Sequence, residues 1–211
     1  MFRLIVVSKK ISFFNSVLSK HKFDYKIFDN KNDLEEFIPE LNGNDILISY
    51  NHNILFSDSI LSKIKIGYNI HAASPEFPGR DPHHWAIYAG AKKYGSVLHL
   101  IEKKVDSGGI IEAVFFDIKP TFGPIELLHK ADIEAEKLII SLIEKILKNE
   151  VIEVNKELTW GKNKRSRKDF IEICRITSDV SQKEIRRRIK AFHVEGRKNL
   201  YTIIHGYKFY Y

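Results

Sequence analysis

The sequence predicts an α/β protein, with a mostly parallel sheet carrying helices on both faces and a small α+β unit at its C-terminal end. Three observations carry this. Apolar runs of strand length alternate with helix-period segments from Arg3 to His71. A long amphipathic pattern free of Pro and Gly runs from Ile125 to Lys148. After Val154 the composition turns polar and basic, then aromatic. The boundaries expected are a main domain over 1–154, a basic connector over 155–169 and a small unit over 170–211.

RLIVVS, from Arg3, is a continuous apolar run, as a parallel strand covered on both faces requires. Lys9 and Lys10 interrupt it and no small-residue cleavage site follows, so the start reads as a buried strand rather than a signal peptide. SFFNSVLSKH is a first helix and FDYKIFD a second strand. NDLEEFIPEL is a helix, with Asn32 as its cap and Glu35 completing a capping box. DILISY, DSILSKI and IGYNIH follow as strand, short helix and strand. From Ala72 to Asp81 the chain is a loop, which Pro75, Pro78 and Gly79 keep irregular. Pro82 suits a first helical turn, where its missing N–H costs nothing, and Gly90 closes that helix. Trp85 and Tyr88, three apart on it, read as core. KYGSVLHLIE and IIEAVFFDI flank an acidic loop and are expected to pair antiparallel. In the last unit IEICRI precedes a helix from Ser181 and two aromatic strands, NLYTIIHG and YKFYY.

Chemistry concentrates in Tyr68-Asn69-Ile70-His71 and in Val105-Asp106-Ser107-Gly108-Gly109. Asn69 and His71 lie two apart, so at the end of a strand they project from one face. An amide, an imidazole and a carboxylate that converge can polarise a carbonyl, move a proton and hold the base. Such a site performs acyl transfer without a nucleophile. His83 and His84, at a helix start, read as surface. With His71 they lack the spacing of a zinc site, so no metal is expected.

The segment NIHAASPEFPGRDPHHWAIYAGAKKYGSVLHLIEKKVDSGGII resembles the core of the folate-dependent formyltransferases, most of all the small sugar N-formyltransferases. The likeness runs from about Asp45 to Ile111 in a fixed order. It departs where relatives with larger substrates carry Ser-Leu-Leu-Pro; here the stretch is Ala73-Ser74-Pro75-Glu76-Phe77-Pro78.

That resemblance implies a Rossmann-like core and a formyl group carried from 10-formyltetrahydrofolate to an amine. Asn69 is then the donor to the formyl oxygen, His71 the general base, and Asp106 the group that orients His71 and stabilises its charge. The folate would lie against Lys104, Val105, Ser107, Gly108 and Gly109, with Ser49 and Tyr50 at a strand end. Pro75, Gly79, Arg80 and His99 would face the amine substrate. Lys9 and Lys10, at the carboxyl end of the first strand where open α/β sheets bind ligands, are candidate pyrophosphate contacts. The substrate implied is a dTDP-linked amino-dideoxyhexose, with dTDP-4-amino-4,6-dideoxyglucose named first, in surface polysaccharide synthesis. A homodimer joined through the C-terminal unit is implied as well.

With 211 residues, 44% of them hydrophobic, the chain can bury a sizeable core. No apolar run approaches the roughly 18 residues needed to cross a bilayer, and no membrane partner is expected. A single Cys174 rules out an intrachain disulfide and agrees with the cytoplasm. The net charge of +7 favours anionic partners: a sugar nucleotide, a polyglutamylated folate or nucleic acid. Charge does not choose among them. The basic runs at Lys162–Lys168 and Arg186–Lys190 read as solvated surface. Formylation of methionyl-tRNA or of a ribonucleotide remains an alternative within this chemistry. A nucleic-acid-binding protein with an inactive core is the alternative from another class, though no aromatic-basic RNA signature supports it.

Overall fold

The computed structural model describes residues 2–211. A six-stranded sheet has the order β2-β1-β3-β4-β5-β6. Its strands are β1 (Arg3–Ser8), β2 (Asp24–Phe28), β3 (Ile46–Tyr50), β4 (Ile66–His71), β5 (Lys93–Leu100) and β6 (Ile110–Asp117). The first four run parallel, while β5 and β6 are antiparallel additions on the β4 edge. This is the mostly parallel, Rossmann-like arrangement.

Alternation along β1 shows how the two layers form. Leu4 and Val6 pack with α1 (Ile11–Leu18) and α5 (Pro124–Leu147), whereas Ile5 and Val7 pack on the opposite side with Leu34 and Phe37 of α2 (Lys31–Phe37) and Ile60 of α3 (Asp58–Leu61). The stripe Leu127, Ala131, Ala135, Leu138, Ile139, Leu142, Ile143 and Ile146 turns one face of α5 onto the sheet. Each buried Leu or Ile of that stripe contributes roughly 1.5–3 kcal/mol over leaving it in water. The helix starts one residue early because Pro124 takes its first turn and the Glu126 carboxylate reaches back to the Gly123 N–H at 3.0 Å.

The expected cap of α2 is corrected. Asn30, not Asn32, has extended backbone and accepts from the Asp33 N–H at 3.0 Å, so the helix begins two residues sooner and Glu35 lies within it. It ends at Phe37, where Pro39 turns the chain into a short 3₁₀ segment, Ile38–Glu40. Pro82 opens α4 (Pro82–Ala89) and Gly90 closes it with φ 69°, as its missing side chain permits.

The C-terminal unit holds α6 (Arg167–Ile173), α7 (Gln182–Phe192) and a separate hairpin of β7 (Tyr201–Ile204) and β8 (Tyr207–Tyr210). Its apolar centre is shared, since Trp85 of α4 packs with Phe170, Cys174, Ala191, Phe192 and Leu200. The residues expected to form a connector do more than connect. The Gly161 N–H reaches the Pro75 carbonyl at 2.8 Å, Arg165 bridges to Gly79, and α6 begins before the expected boundary at 170. They form a strap across the 72–81 loop.

Among the described residues no helix is long and apolar enough to cross a membrane.

Candidate active site

Strand register builds the site. Ser49 on β3 lies opposite Asn69 on β4, and Asn69 lies opposite His99 on β5. Their neighbours Ile48, Tyr50, Tyr68, Ile70 and Leu98 face the α1/α5 core, so the three polar side chains stand in a row on the other face. The Ser49 hydroxyl donates to the Asn69 amide oxygen, and the Asn69 Nδ2 donates to His99 Nε2 at 2.9 Å. His99 Nδ1–H donates to the Leu100 carbonyl at 2.7 Å. Burial, opposed by the Asp106 charge, pushes His99 down to about 4, which keeps the ring neutral and Nε2 an acceptor.

His71 stands two residues beyond Asn69 on the same face. Its Nε2 is 3.1 Å from the Phe77 carbonyl and can only donate there, which leaves Nδ1 as the basic nitrogen. Nδ1 lies 3.8 Å from the Asp106 carboxylate, as does His99 Nε2. At that distance the carboxylate acts on His71 through charge, and the Phe77 carbonyl sets the ring's orientation. Asp106 is itself fixed. Its backbone is left-handed at φ 46°, its side chain is buried, and its second oxygen accepts from the Gly79 N–H at 2.8 Å.

Asn69, His71, His99 and Asp106 line one cleft of about 990 Å³, joined by Ser49, Tyr50, Gly79, Arg80, Lys104 and Val105. That size suits a small-molecule site. The hydroxyl hydrogens of Ser49 and Tyr50 are already spent, the latter on Asp132 at 2.6 Å, so neither is free to donate to a ligand. The other expected contact residues are placed as follows. Lys10 turns away to Asp132 at 3.2 Å and Glu136 at 2.8 Å on α5, because those acids lie beneath the strand end. Lys9 lines a separate, smaller hollow with Asp29 and Lys31. Pro75 is buried under the strap. Ser107 folds back to the Lys104 carbonyl at 2.7 Å. A Cβ on Gly108 would lie 1.9 Å from the Leu100 carbonyl oxygen, and one on Gly109 would lie 2.8 Å from the Val154 side chain. Those two glycines therefore serve the chain's own packing.

Three residues escaped sequence reasoning. Trp160 in the strap meets the edges of His71 and His99, with ring centroids 5.9 and 4.9 Å away, and donates to the Gly108 carbonyl at 2.8 Å. A lone Trp in a polar basic stretch was the available signal. His52 lies 2.8 Å from the Ser49 hydroxyl and is pushed down to about 4 by burial and the Lys9 charge. His83 lines the cleft, and burial with the neighbouring charges of His84, Arg197 and His71 pushes it down to about 3. His84 is buried, bonded to the Ala191 carbonyl at 2.6 Å and stacked on Phe192, so the surface expectation is corrected for His84, while His83 is half-buried at the cleft. Among the described residues no group of three or more His, Cys, Asp or Glu is placed to hold a metal ion.

A doubly covered, mostly parallel sheet with an amide, an imidazole and a carboxylate in one cleft at its strand ends is a scaffold able to polarise a carbonyl and move a proton without a nucleophile. A sequence profile of the formyl transferase family matches residues 6–143, and the chain belongs to that family. The bifunctional polymyxin resistance protein ArnA of Wigglesworthia glossinidia brevipalpis is 30% identical over 155 residues, covering 70% of this chain. The chain spans 23% of that relative's length. Among solved structures, a 4-N formyltransferase from Francisella tularensis superposes with a TM-score of 0.78 at 20% identity, covering 99% of this chain and 96% of that one. A sugar N-formyltransferase from Shewanella sp. FDAARGOS_354 gives 0.78 at 18% identity, covering 100% and 96%. The N-formyltransferase of Helicobacter canadensis, solved with folinic acid and dTDP-3-aminofucose, gives 0.71 at 22% identity, covering 97% and 84%.

Proposed function

We propose that this protein moves the formyl group of 10-formyltetrahydrofolate to the amine of a nucleotide-linked amino sugar. The observation that carries the reading is the convergence of Asn69, His71 and Asp106 on one open cleft. The neutral amine attacks the formyl carbon, and the oxygen that gains charge is met by the Asn69 N–H not spent on His99. His71 Nδ1 takes the proton released by the amine, and the adjacent Asp106 carboxylate favours the resulting imidazolium. As the carbon–nitrogen bond to the folate breaks, that proton is returned to the folate nitrogen, leaving tetrahydrofolate and the N-formyl sugar. No nucleophilic side chain takes part. Cys174, buried at the C-terminal end of α6, lies outside the cleft.

Within this class, the reading extends to a dTDP-linked amino-dideoxyhexose, with dTDP-4-amino-4,6-dideoxyglucose the first substrate to test, serving surface polysaccharide synthesis in the cytoplasm. Support comes from the full-length superposition on sugar N-formyltransferases and from the ligands of the Helicobacter canadensis protein. Lys104, Lys164 and Arg165 line the cleft with Arg80 and Arg167, which share Asp81, and this excess of cationic side chains suits a diphosphate. The exposed aromatics Tyr207, Phe209, Tyr210 and Tyr211 of the last hairpin support a homodimer.

The test is tetrahydrofolate release with a panel of amino-sugar nucleotides, beside a salt-dependent gel shift with random RNA. Release with a dTDP-amino sugar supports the reading. Tight RNA binding without release would replace it.

A further inference from the structure

Asn69 works as a donor only if its amide presents nitrogen, and not oxygen, to the reacting carbonyl. The two orientations have nearly the same shape, so packing does not choose between them. We propose that Ser49 and His52 are positioning residues that choose, through a one-way chain of hydrogen bonds tied to the backbone at both ends. This rests on the role given to Asn69 above.

The chain starts at the Ile54 N–H, which donates to His52 Nδ1 at 2.9 Å. A backbone N–H cannot accept, so His52 Nδ1 is bare and the ring's proton is on Nε2. That proton faces Ser49 Oγ at 2.8 Å. Ser49 has one hydrogen and spends it on Asn69 Oδ1. The amide is thereby turned with Nδ2 toward His99 Nε2 at 2.9 Å. His99 carries its proton on Nδ1, because Nδ1 lies 2.7 Å from the Leu100 carbonyl, which can only accept. Among the described residues the second Nδ2 hydrogen has no acceptor, and Asn69 lines the cleft.

Reversing the amide would require every link to reverse. Asn69 Oδ1 would face His99 Nε2, which would need a proton there and would set a bare Nδ1 against the Leu100 carbonyl. At the other end Nδ2 would face Ser49, whose hydroxyl would turn to His52 and force the ring's proton onto Nδ1, against the Ile54 N–H. Two backbone groups that cannot change polarity would be left mispaired in a site where Ser49 and His99 are nearly inaccessible to water. His52 and Ile54 belong to the segment after β3 that lines the cleft, so the lock joins that segment to the reacting centre.

Two measurements test this on the full chain. Long-range ¹H–¹⁵N correlation of the nine histidines, assigned through single His→Gln variants, is expected to show the proton of His52 on Nε2 and that of His99 on Nδ1. The opposite tautomer in either ring overturns the lock. This readout needs no substrate, so it decides the chain separately from whether formyl transfer occurs at all. In steady-state kinetics, His52→Leu and Ser49→Ala are expected to lower kcat about tenfold each, a loss of roughly one hydrogen bond's discrimination. Neither is expected to move the KM of either substrate more than about twofold. His52→Gln, whose amide offers an acceptor and a donor in place of the two ring nitrogens, is expected to restore kcat to within about threefold. A merely structural role would instead raise the folate KM and lower the melting temperature, with no recovery in the Gln variant. That pattern, or kcat within twofold of the parent in both disabling variants, overturns the proposal.

Discussion

Gly79→Ala is expected to disable the site from outside it, and the structure allows the loss to be divided. Gly79 has φ +96°, and a Cβ there would lie 2.3 Å from the Arg165 carbonyl oxygen and 2.9 Å from the Arg165 nitrogen. Gly90 supplies the control: its φ is +69°, but a Cβ meets nothing within 4 Å. Gly90→Ala should therefore cost only left-handed strain, about 1 kcal/mol. Gly79→Ala adds a forced separation of the strap from the loop, with loss of the Arg80 N–H to Arg165 carbonyl bond at 2.8 Å and the Arg165 N–H to Pro78 carbonyl bond at 3.1 Å. At about 1 kcal/mol each, the total is about 3 kcal/mol. For a chain of this size that lowers Tm by roughly 6–12 °C, against roughly 2–4 °C for Gly90→Ala. The same shift disturbs the Gly79 N–H that holds the Asp106 carboxylate at 2.8 Å, so kcat should fall at least about tenfold in Gly79→Ala and stay near the parent in Gly90→Ala. Thermal unfolding and tetrahydrofolate release read the two effects. Equal stability of the two variants, or full activity in Gly79→Ala, would refute the view that the strap positions the acid.

Asn69→Ala and Asp106→Asn are each expected to lower kcat about 10² to 10³-fold with little change in folate KM; a change under tenfold in either would remove that residue from the reaction. Stability should fall with acid. His52 and His99 are held at about 4, and His83 at about 3, against 6.5 for the free group. The unfolded chain therefore binds protons that the folded chain refuses, and the stability these neutral rings confer is complete above pH 6.5 and lost as pH falls toward 4. Each ring contributes a slope of about 1.4 kcal/mol per pH unit in that window. Urea unfolding at pH 7, 6 and 5 checks this, and a flat profile would contradict it. Lys10→Ala should leave the sugar-nucleotide KM within about twofold, because Asp132 and Glu136 occupy its charge; a rise of fivefold or more would return Lys10 to the substrate. Cys174 is 1% exposed and pushed up to about 12 by burial, so a thiol reagent should modify it only on unfolding, and rapid reaction in the native protein would contradict its placement.

Asn69 and His71 were legible as a pair because strand alternation is written in the sequence itself: two positions apart means one face. The layered sheet was legible for a similar reason, since β1 to β4 are short apolar runs and α5 repeats its apolar stripe without interruption. Ser49, His52 and His99 were not legible as a unit. Their contact depends on which residues of β3, β4 and β5 lie abreast, and register is set by packing between strands distant in sequence. Lys10 was expected at a ligand because strand position alone favours one there, whereas the acids it pairs with lie on α5, out of sight of the local sequence. Trp160 and the strap were hidden by composition: a polar, basic stretch reads as solvent-exposed until the Gly161, Arg165 and Trp160 contacts bring it onto the loop and His71. The glycines at 108 and 109 were noticed for the right property, close approach, but the neighbours approached are Leu100 and Val154.

The most direct measurement is tetrahydrofolate release by the parent protein and by His71→Ala, mixed with 10-formyltetrahydrofolate and a dTDP-linked amino sugar. Release by the parent and a fall of about 10³-fold or more in the variant, at nearly unchanged folate KM, is the expected result. Turnover by His71→Ala within tenfold of the parent would contradict the assignment of the ring as base.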